Sequence, residues 1–348
     1  MNTFDAYSLQ EIPTLIEEMG HKKFRSKQLI SWVYQKGASS LDEMSNLPKQ
    51  LKEDLQRTAP FAIPEVVTRQ ISKDGTRKYL LKLHDGYTIE TVGIPSHETD
   101  NEGHPKRLTV CFSTQVGCPM ECAFCATGKE GFGRNLLPGE MVQQVLTCQR
   151  DFGMRVTNAV AMGQGEPFLN YENTLAALRI MNSPDCLGIG ARHITVSTCG
   201  IIPGIRRFAN EPEQFTLAVS LHSAQQDMRN DLMPVCAKTT LPQLKKELRA
   251  YNQADNRRLS FEYLLLSGIT DTDEAIKALI SYCQGLLVHV NFLPINEVEG
   301  SPYKPTPSRR VKEILAKMEQ AHIEATLRNS RGSDIDGACG QLKTKTKL

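Results

Sequence analysis

From residue 107 onward the chain repeats one pattern: a short apolar run, a small-residue turn, then a stretch of helical periodicity. Apolar runs near 107–113, 157–162, 193–197, 215–221, 259–265 and 287–293 predict strands. Helical spacing near 138–152, 171–182, 241–253, 272–284 and 308–321 predicts the helices between and after them. Strands that alternate with helices pair in parallel, because each crossover returns the chain to the same end of the sheet. Six such units fall short of the eight that close a barrel. The expected fold is therefore α/β, a partial (β/α)6 TIM-like barrel over residues 107–300, open on one side to a large substrate. Residues 301–348 add a helix, a strand and a tail.

Parallel barrels collect their reactive groups at the carboxyl ends of the strands, and here each conspicuous turn follows a strand directly. Cys118-Pro-Met-Glu-Cys122-Ala-Phe-Cys125 follows the first, and Gly163-Gln-Gly165-Glu166-Pro167 the second. Ser197-Thr-Cys-Gly200 follows the third, Ser220-Leu221-His222 closes the fourth, and Asn296 lies just past the sixth. These turns should meet around one pocket. Gly163 and Gly165 let backbone pass close to a ligand, and Glu166 can accept from an ammonium group. Ser197, Ser220 and Asn296 offer hydroxyl and amide groups suited to a ribose or a carboxylate. His222 reads equally as a ligand contact or as a satisfied structural histidine.

The barrel is preceded by two smaller units. Ser8-Leu-Gln-Glu11 is a capping box, and Ile12, Leu15, Ile16 and Met19 follow at helical spacing until Gly20. Leu29, Ile30 and Val33 mark a second helix ended by Gly37, and Leu47, Leu51 and Leu55 mark a third after Asn46. Residues 1–60 thus form a small helical domain. Its basic run His21-Lys-Lys-Phe24-Arg-Ser-Lys27 reads either as a solvated turn or as an RNA phosphate contact with Phe24 as a stacking surface. Strands at 65–72, 76–83 and 87–94 follow, joined by Asp74-Gly75 and Asp85-Gly86, which are strong hairpin signals. This short β-meander and the polar loop 95–106, expected to be mobile, fill residues 61–106. Glu90 shares a strand face with Val92 and Ile94, so it is either buried for a reason or an exposed edge residue.

Net charge is +2 over 348 residues, so any nucleic-acid partner must be met by local patches. Ten cysteines without a secretory signal point to a reducing compartment and to metal or catalytic use of thiols. No apolar run approaches the roughly 20 residues of a membrane span. The expectation is a soluble cytoplasmic protein, monomeric, with no membrane partner. Cys148, Cys186, Cys236 and Cys283 read as small buried side chains.

The cysteine loop narrows the chemistry. Cys118, Cys122 and Cys125 are spaced to hold three irons of a cubane iron–sulfur cluster, and no fourth cysteine stands at close spacing. The fourth iron is then open to a ligand that is not protein. A zinc knot is the alternative, but zinc sites usually bring two short-spaced pairs, and no second pair is present. The C-x3-C-x2-C spacing resembles the signature of the radical-SAM superfamily, whose members bind S-adenosylmethionine (SAM) on that iron and cleave it by one-electron reduction. At the other end, Arg331-Gly-Ser-Asp334-Ile-Asp336-Gly-Ala-Cys339-Gly carries a lone cysteine between glycines. It reads as an ordinary free thiol or as one delivered to the barrel mouth by a flexible arm. Cys111, just before the cysteine loop, is a second odd thiol.

Taken with Asn46-Leu-Pro-Lys49, Ile89-Glu-Thr-Val92, Ser113-Thr-Gln-Val-Gly-Cys118, Gly163 to Asn170, Ser220-Leu-His222 and the Cys339 tail, the chain resembles the RlmN/Cfr family of radical-SAM RNA methyltransferases along essentially its whole length. Gly165-Glu166-Pro167 and Arg331-Gly332 favour the RlmN side of that family. The resemblance implies a radical-SAM barrel with one [4Fe-4S] cluster on Cys118, Cys122 and Cys125, and two SAM per turnover. It implies SAM contacts at Gly165, Glu166, Ser197, Ser220, Leu221, His222 and Asn296. It further implies that Cys339 is methylated to S-methylcysteine, that a 5′-deoxyadenosyl radical takes hydrogen from that methyl, and that the methylene radical attacks C2 of an adenine. Cys111 is then the thiol that closes a transient disulfide with Cys339, and Glu90 the proton acceptor, although either could take the C2 proton. The implied substrates are an adenine in the peptidyl-transferase centre of 23S ribosomal RNA and one beside the anticodon of tRNA. Phosphate contacts are expected from the basic N-terminal domain and from Lys343, Lys345 and Lys347, and electrons from an external flavodoxin- or ferredoxin-type donor. Two features depart from the family pattern: Cys199 stands where serine is commoner, and the 95–106 loop is longer. A Cfr-like C8 methyltransferase, a zinc-stabilised RNA-binding protein and a radical-SAM enzyme acting on a peptide are the competing readings.

Overall fold

A computed structural model describes residues 3–61, 63–296 and 302–342. Three short helices open the chain: α1 (Ile12–Glu18), α2 (Phe24–Ile30), which continues as a π-turn to Gln35, and α3 (Lys49–Thr58). The Glu11 carboxylate accepts from the Ser8 N–H at 2.8 Å and from its hydroxyl at 2.6 Å, so only half of the expected capping box forms. Leu15, Ile16, Leu29, Val33, Leu51 and Leu55 are all buried, and they merge into the same apolar core as the barrel.

The meander follows as β1 (Glu65–Ile71), β2 (Arg77–Lys82) and β3 (Thr88–Pro95), with both Asp-Gly turns in place. Its strands belong to the barrel sheet, because β3 pairs antiparallel with β4 (Leu108–Cys111). Residues 95–106 fold back on themselves instead of lying loose: Asp100 Oδ1 accepts from the Glu102 and His104 N–H groups, and the Lys106 N–H donates to the Glu98 carbonyl.

After β4 a two-stranded hairpin, β5 (Gln115–Gly117) and β6 (Phe132–Asn135), brackets the cysteine loop. The βα units then run α4 (Pro138–Phe152), β7 (Asn158–Ala161), α5 (Tyr171–Asn182), β8 (Ile194–Thr198), α6 (Ile202–Ala209), β9 (Thr216–Ser220), α7 (Gln226–Leu232), α8 (Leu241–Asp255), β10 (Leu259–Leu265), α9 (Asp273–Cys283), β11 (Val288–Pro294), α10 (Ser308–Gln320) and β12 (Ala325–Leu327). The large sheet has the order β1-β2-β3-β4-β7-β8-β9-β10-β11-β12, parallel from β4 onward. All six expected barrel strands are present, and β12 adds a short seventh. Helices α6 and α7 were not expected; each has only seven or eight residues, too few for periodicity to stand out. No helix of the described residues is long and apolar enough to cross a membrane. The expected boundary at residue 300 and the three tail lysines Lys343, Lys345 and Lys347 lie outside the described residues.

Candidate active site

The strand ends converge as the parallel topology requires. Cys118, Cys122 and Cys125 line one cavity together with Gly163, Gly165, Glu166, Ser197, Ser220, His222 and Cys339. A second cavity adjoins it, walled by Cys111, Cys125, Asn296, Arg328 and Cys339. Cys339 and Cys125 belong to both. Leu221 sits beneath the floor, wholly buried, and its N–H donates to the Glu262 carbonyl at 3.1 Å. Asn296 faces the second cavity and donates to the Cys339 carbonyl at 3.3 Å.

The glycines of the second turn have a local reason. Gly165 takes φ +105°, and a Cβ there would lie 2.7 Å from the Gln115 side chain; a Cβ on Gly163 would meet the Phe112 carbonyl, also at 2.7 Å. Close passage against Phe112, just past β4, and Gln115, at the start of β5, is enough to exclude larger residues. That passage carries Glu166 to its place. Its carboxylate is buried, accepting from the Phe168 N–H at 3.0 Å and the Cys199 N–H at 2.7 Å. Burial raises its pKa, while the two N–H donors oppose the rise. Glu166 thus ties the turn after β7 to the turn after β8. Ser197 and Ser220 face each other across neighbouring strands, Oγ to Oγ at 3.4 Å.

His222 lines the cavity and is also bonded internally. It adopts φ +54°, a left-handed conformation unusual for a residue with a side chain. Burial, with the Arg229 charge second, pushes its pKa down to about 3. The Leu264 N–H donates to Nδ1 at 3.2 Å, which leaves the proton on Nε2. The Phe124 ring packs edge-on against it at 4.7 Å, so His222 also braces the cysteine loop.

The Cys339 tail is held at both ends. Arg331 donates to Asp74 Oδ2 at 2.9 Å and to the Asp74 and Pro95 carbonyls, and Ser72 Oγ donates to Asp334 at 2.6 Å. Burial would raise the Asp74 pKa, yet hydrogen bonds from Thr76, Gly332 and Ser72 hold it far below the usual carboxylate range. Beyond Cys339, the Ala126 N–H donates to the Gly340 carbonyl and Thr127 Oγ1 to the Leu342 carbonyl. The tail is therefore a short arch pinned to the β1–β2 turn and to the cysteine loop, tighter than a free arm. Cys339 itself is exposed. Burial pushes Cys111 up to about 12, with Cys339 adding to the rise and Arg328 opposing it. Although Cys339 as a residue is exposed, desolvation of its sulfur raises the thiol, again against Arg328.

Glu90 lines neither cavity. It is buried on β3, with its carboxylate 3.0 Å from Lys78 Nζ. Val92 pairs with Lys78 on one side and with Cys111 on the other, so Lys78, Glu90 and Cys111 share a sheet face. Lys78 Nζ also donates to the Asp336 carbonyl at 3.3 Å, joining Glu90 to the tail. Sequence reading missed Lys78, Arg328 and Arg229. Hairpin register alone could have found Lys78, since the Asp-Gly turn sets which β2 residues lie diagonal to Glu90.

The donor set suits an iron–sulfur cluster better than a single ion. Three cysteine thiols open onto one cavity, yet among the described residues no three Cys, His, Asp or Glu side chains converge as one metal ion demands.

Residues 2–60 match the family model for the Ribosomal RNA large subunit methyltransferase N-terminal domain, and residues 112–280 match that of the Radical SAM superfamily. A probable dual-specificity RNA methyltransferase RlmN from Clostridium novyi is 40% identical over 338 residues, covering 97% of this chain and 96% of its own. The counterpart from Trichormus variabilis is 45% identical over 97% of this chain and 92% of its own. The crystal structure of a radical SAM methyltransferase from Sphaerobacter thermophilus superposes with a TM-score of 0.92 at 39% identity, covering 99% of both chains. With the accessory domain, the three-cysteine loop and near full-length identity in agreement, the chain belongs to the RlmN family of radical-SAM dual-specificity RNA methyltransferases.

Proposed function

We propose that this chain methylates C2 of adenine in 23S ribosomal RNA and in tRNA, using Cys339 as the methyl carrier. The observation that supports this most directly is the position of Cys339 on the wall common to the two cavities. One cavity holds the cysteine loop with Glu166, Ser197, Ser220 and His222; the other holds Cys111. A thiol placed there can receive a methyl group on one side and meet a nucleobase on the other.

In this reading Cys118, Cys122 and Cys125 hold one [4Fe-4S] cluster, which when bound supplies the one-electron chemistry that cleaves SAM. Gly165, Glu166, Ser197, Ser220, the Leu221 backbone, His222 and Asn296 hold SAM, of which two are used per turnover. Adenine C2 is electron-poor, so an ordinary methyl displacement cannot reach it. A carbon radical on the Cys339 sulfur would add there, and once the adduct had given up one electron, for which the oxidised cluster would be the acceptor, a thioether between protein and RNA would remain. Cys111, as thiolate, then attacks the Cys339 sulfur and closes a disulfide; the carbon–sulfur pair passes to the methylene carbon, which takes up a proton to become the methyl as C2 gives up its own. Cys111 is a protonated thiol in the present conformation, so it must first lose its proton. Glu90 and Cys111 share the task of moving protons at C2, Glu90 as acceptor.

Residues 1–60 serve as the RNA-binding accessory domain. Lys22, Lys23 and Lys27 are exposed, and the Arg25 guanidinium lies 4.6 Å over the Phe24 ring, which is itself half exposed. Residues 61–106 and 107–300 form the meander and barrel, and 301–348 the methyl-carrying tail. The enzyme works as a cytoplasmic monomer with a flavodoxin- or ferredoxin-type donor.

Anaerobic turnover with an RNA fragment, followed by nucleoside analysis, tests the proposal. 2-Methyladenosine is the expected product; 8-methyladenosine would replace this reading with the C8 one. Cys111→Ala is expected to trap RNA on Cys339, and free RNA from that variant would remove Cys111 from the release step.

A further inference from the structure

Arg229 lies in α7 and is wholly buried. One Nη donates to the Cys199 carbonyl at 2.6 Å. Among the described residues its Nε and other Nη have no hydrogen-bond partner, and no carboxylate lies within ion-pair distance. This is a buried guanidinium cation with no counter-ion among the described residues. Such a charge costs several kcal/mol, a large fraction of the stability of a domain, and calls for a physical reason.

Its surroundings supply one. α7 packs directly on the cysteine loop: the Ala123 N–H donates to the Leu232 carbonyl at 3.0 Å. Leu232, Met233 and Met228 share one apolar cluster with Met120, Cys122 and the partly buried Cys118 and Cys125. Low-dielectric surroundings of this kind lengthen the reach of a charge. The Arg229 field is felt by the His222 ring and the Cys236 thiol, both against the same loop.

We propose that the counter-charge of Arg229 is the thiolate-bound cluster itself, and that Arg229 is a positioning residue setting how firmly the cluster is held and how readily it is reduced. The inference rests on the cluster reading above. A cluster held through cysteine thiolates is anionic, and reduction adds one further negative charge. A fixed cation beside it stabilises the reduced form more than the oxidised one. Arg suits the place because its planar fork can grip the Cys199 carbonyl with one nitrogen while the rest of the charge stays free.

The test is an anaerobic redox titration of the full reconstituted chain, followed by the spin-resonance signal of the reduced cluster. Arg229→Gln keeps an amide donor for the Cys199 carbonyl and removes the charge; Arg229→Lys keeps the charge. In Arg229→Gln the reduced-to-oxidised ratio at a fixed potential is expected to fall about tenfold, equal to about 59 mV for a one-electron couple. Arg229→Lys should stay within about twofold of the unaltered chain. Iron lost on reconstitution by the Gln variant and kept by the Lys variant also supports the proposal. An unmoved potential in Arg229→Gln, or equal loss of iron in both variants, overturns it by making the guanidinium a purely architectural group. If the unaltered chain reconstitutes with no iron–sulfur absorbance, the cluster reading itself fails; a normal cluster with an unmoved potential sinks only the role of Arg229.

Discussion

Two cations are buried beside the active site, and they are kept in opposite ways. Lys78 on β2 has its ammonium 3.0 Å from the Glu90 carboxylate and donates to the Asp336 carbonyl of the tail. Arg229 on α7 has one carbonyl acceptor and no counter-ion among the described residues. The first pair is electrostatically complete within the chain and acts as a latch between sheet and tail. The second has no such partner among the described residues, and its proposed counter-charge lies at the cysteine loop. A buried pair and a buried single charge therefore separate scaffold from cofactor site more clearly than burial alone.

The largest effect should appear where the latch ends. Cys339→Ala, on the tail that Lys78 and Arg331 hold, is expected to yield no methylated adenosine while the iron proposed to sit on Cys118, Cys122 and Cys125 is retained. Nucleoside mass spectrometry beside iron analysis reads both, and retained turnover would end the methyl-carrier role. Next comes the latch. Lys78→Met strands a buried carboxylate, and urea unfolding should show a loss of about 3–5 kcal/mol. The double change Lys78→Met with Glu90→Leu should recover most of it, because no unpaired charge is left. A Lys78→Met chain as stable as the original would erase the contrast with Arg229.

A smaller loss is expected at the root of the tail. Arg331→Ala removes charge-assisted bonds to Asp74, each worth about 1.5–3 kcal/mol, and should expose residues 331–340 to limited proteolysis. Tail cleavage no faster than in the unaltered chain would mean that the Gly340 and Leu342 contacts alone hold the arch. The mildest effect concerns pH. His222 is kept neutral, its pKa lowered from 6.5 to about 3 by burial and then by Arg229. Between those values the unfolded chain binds a proton that the folded chain refuses. Stability present above pH 6.5 is therefore lost as pH falls through that window, by up to about 1.4 kcal/mol per pH unit from this group. Denaturation of the iron-free chain across pH 4–7 reads the slope, and His222→Asn should flatten it; an unchanged slope would place the acid sensitivity elsewhere.

Much of the architecture is legible in the chain because its signals are local. Asp74-Gly75 and Asp85-Gly86 dictate their turns through positive φ, and strands such as Leu259–Leu265 announce themselves as short apolar runs between helices. The cysteine spacing and the turns after the strands are equally local, and parallel topology then carries them to one end. Helices α6 and α7 escaped notice because each offers about two turns, and packing rather than periodicity stabilises them. With α7 went Arg229, which looks like a surface residue in Gln226–Leu232 until the fold covers it.

What the amino-acid sequence determined by itself is the inventory: three thiols on one loop, a lone thiol on a glycine-flanked tail, and strands whose ends must gather. Each depends on spacing within a few residues, and spacing survives in one dimension. Only the tertiary structure decided the pairings: Lys78 with Glu90 and Asp336, Asp74 with Arg331, Glu166 with the Cys199 N–H, and Arg229 with no carboxylate among the described residues. Those depend on which groups lose water together, and burial is a property of the packed chain.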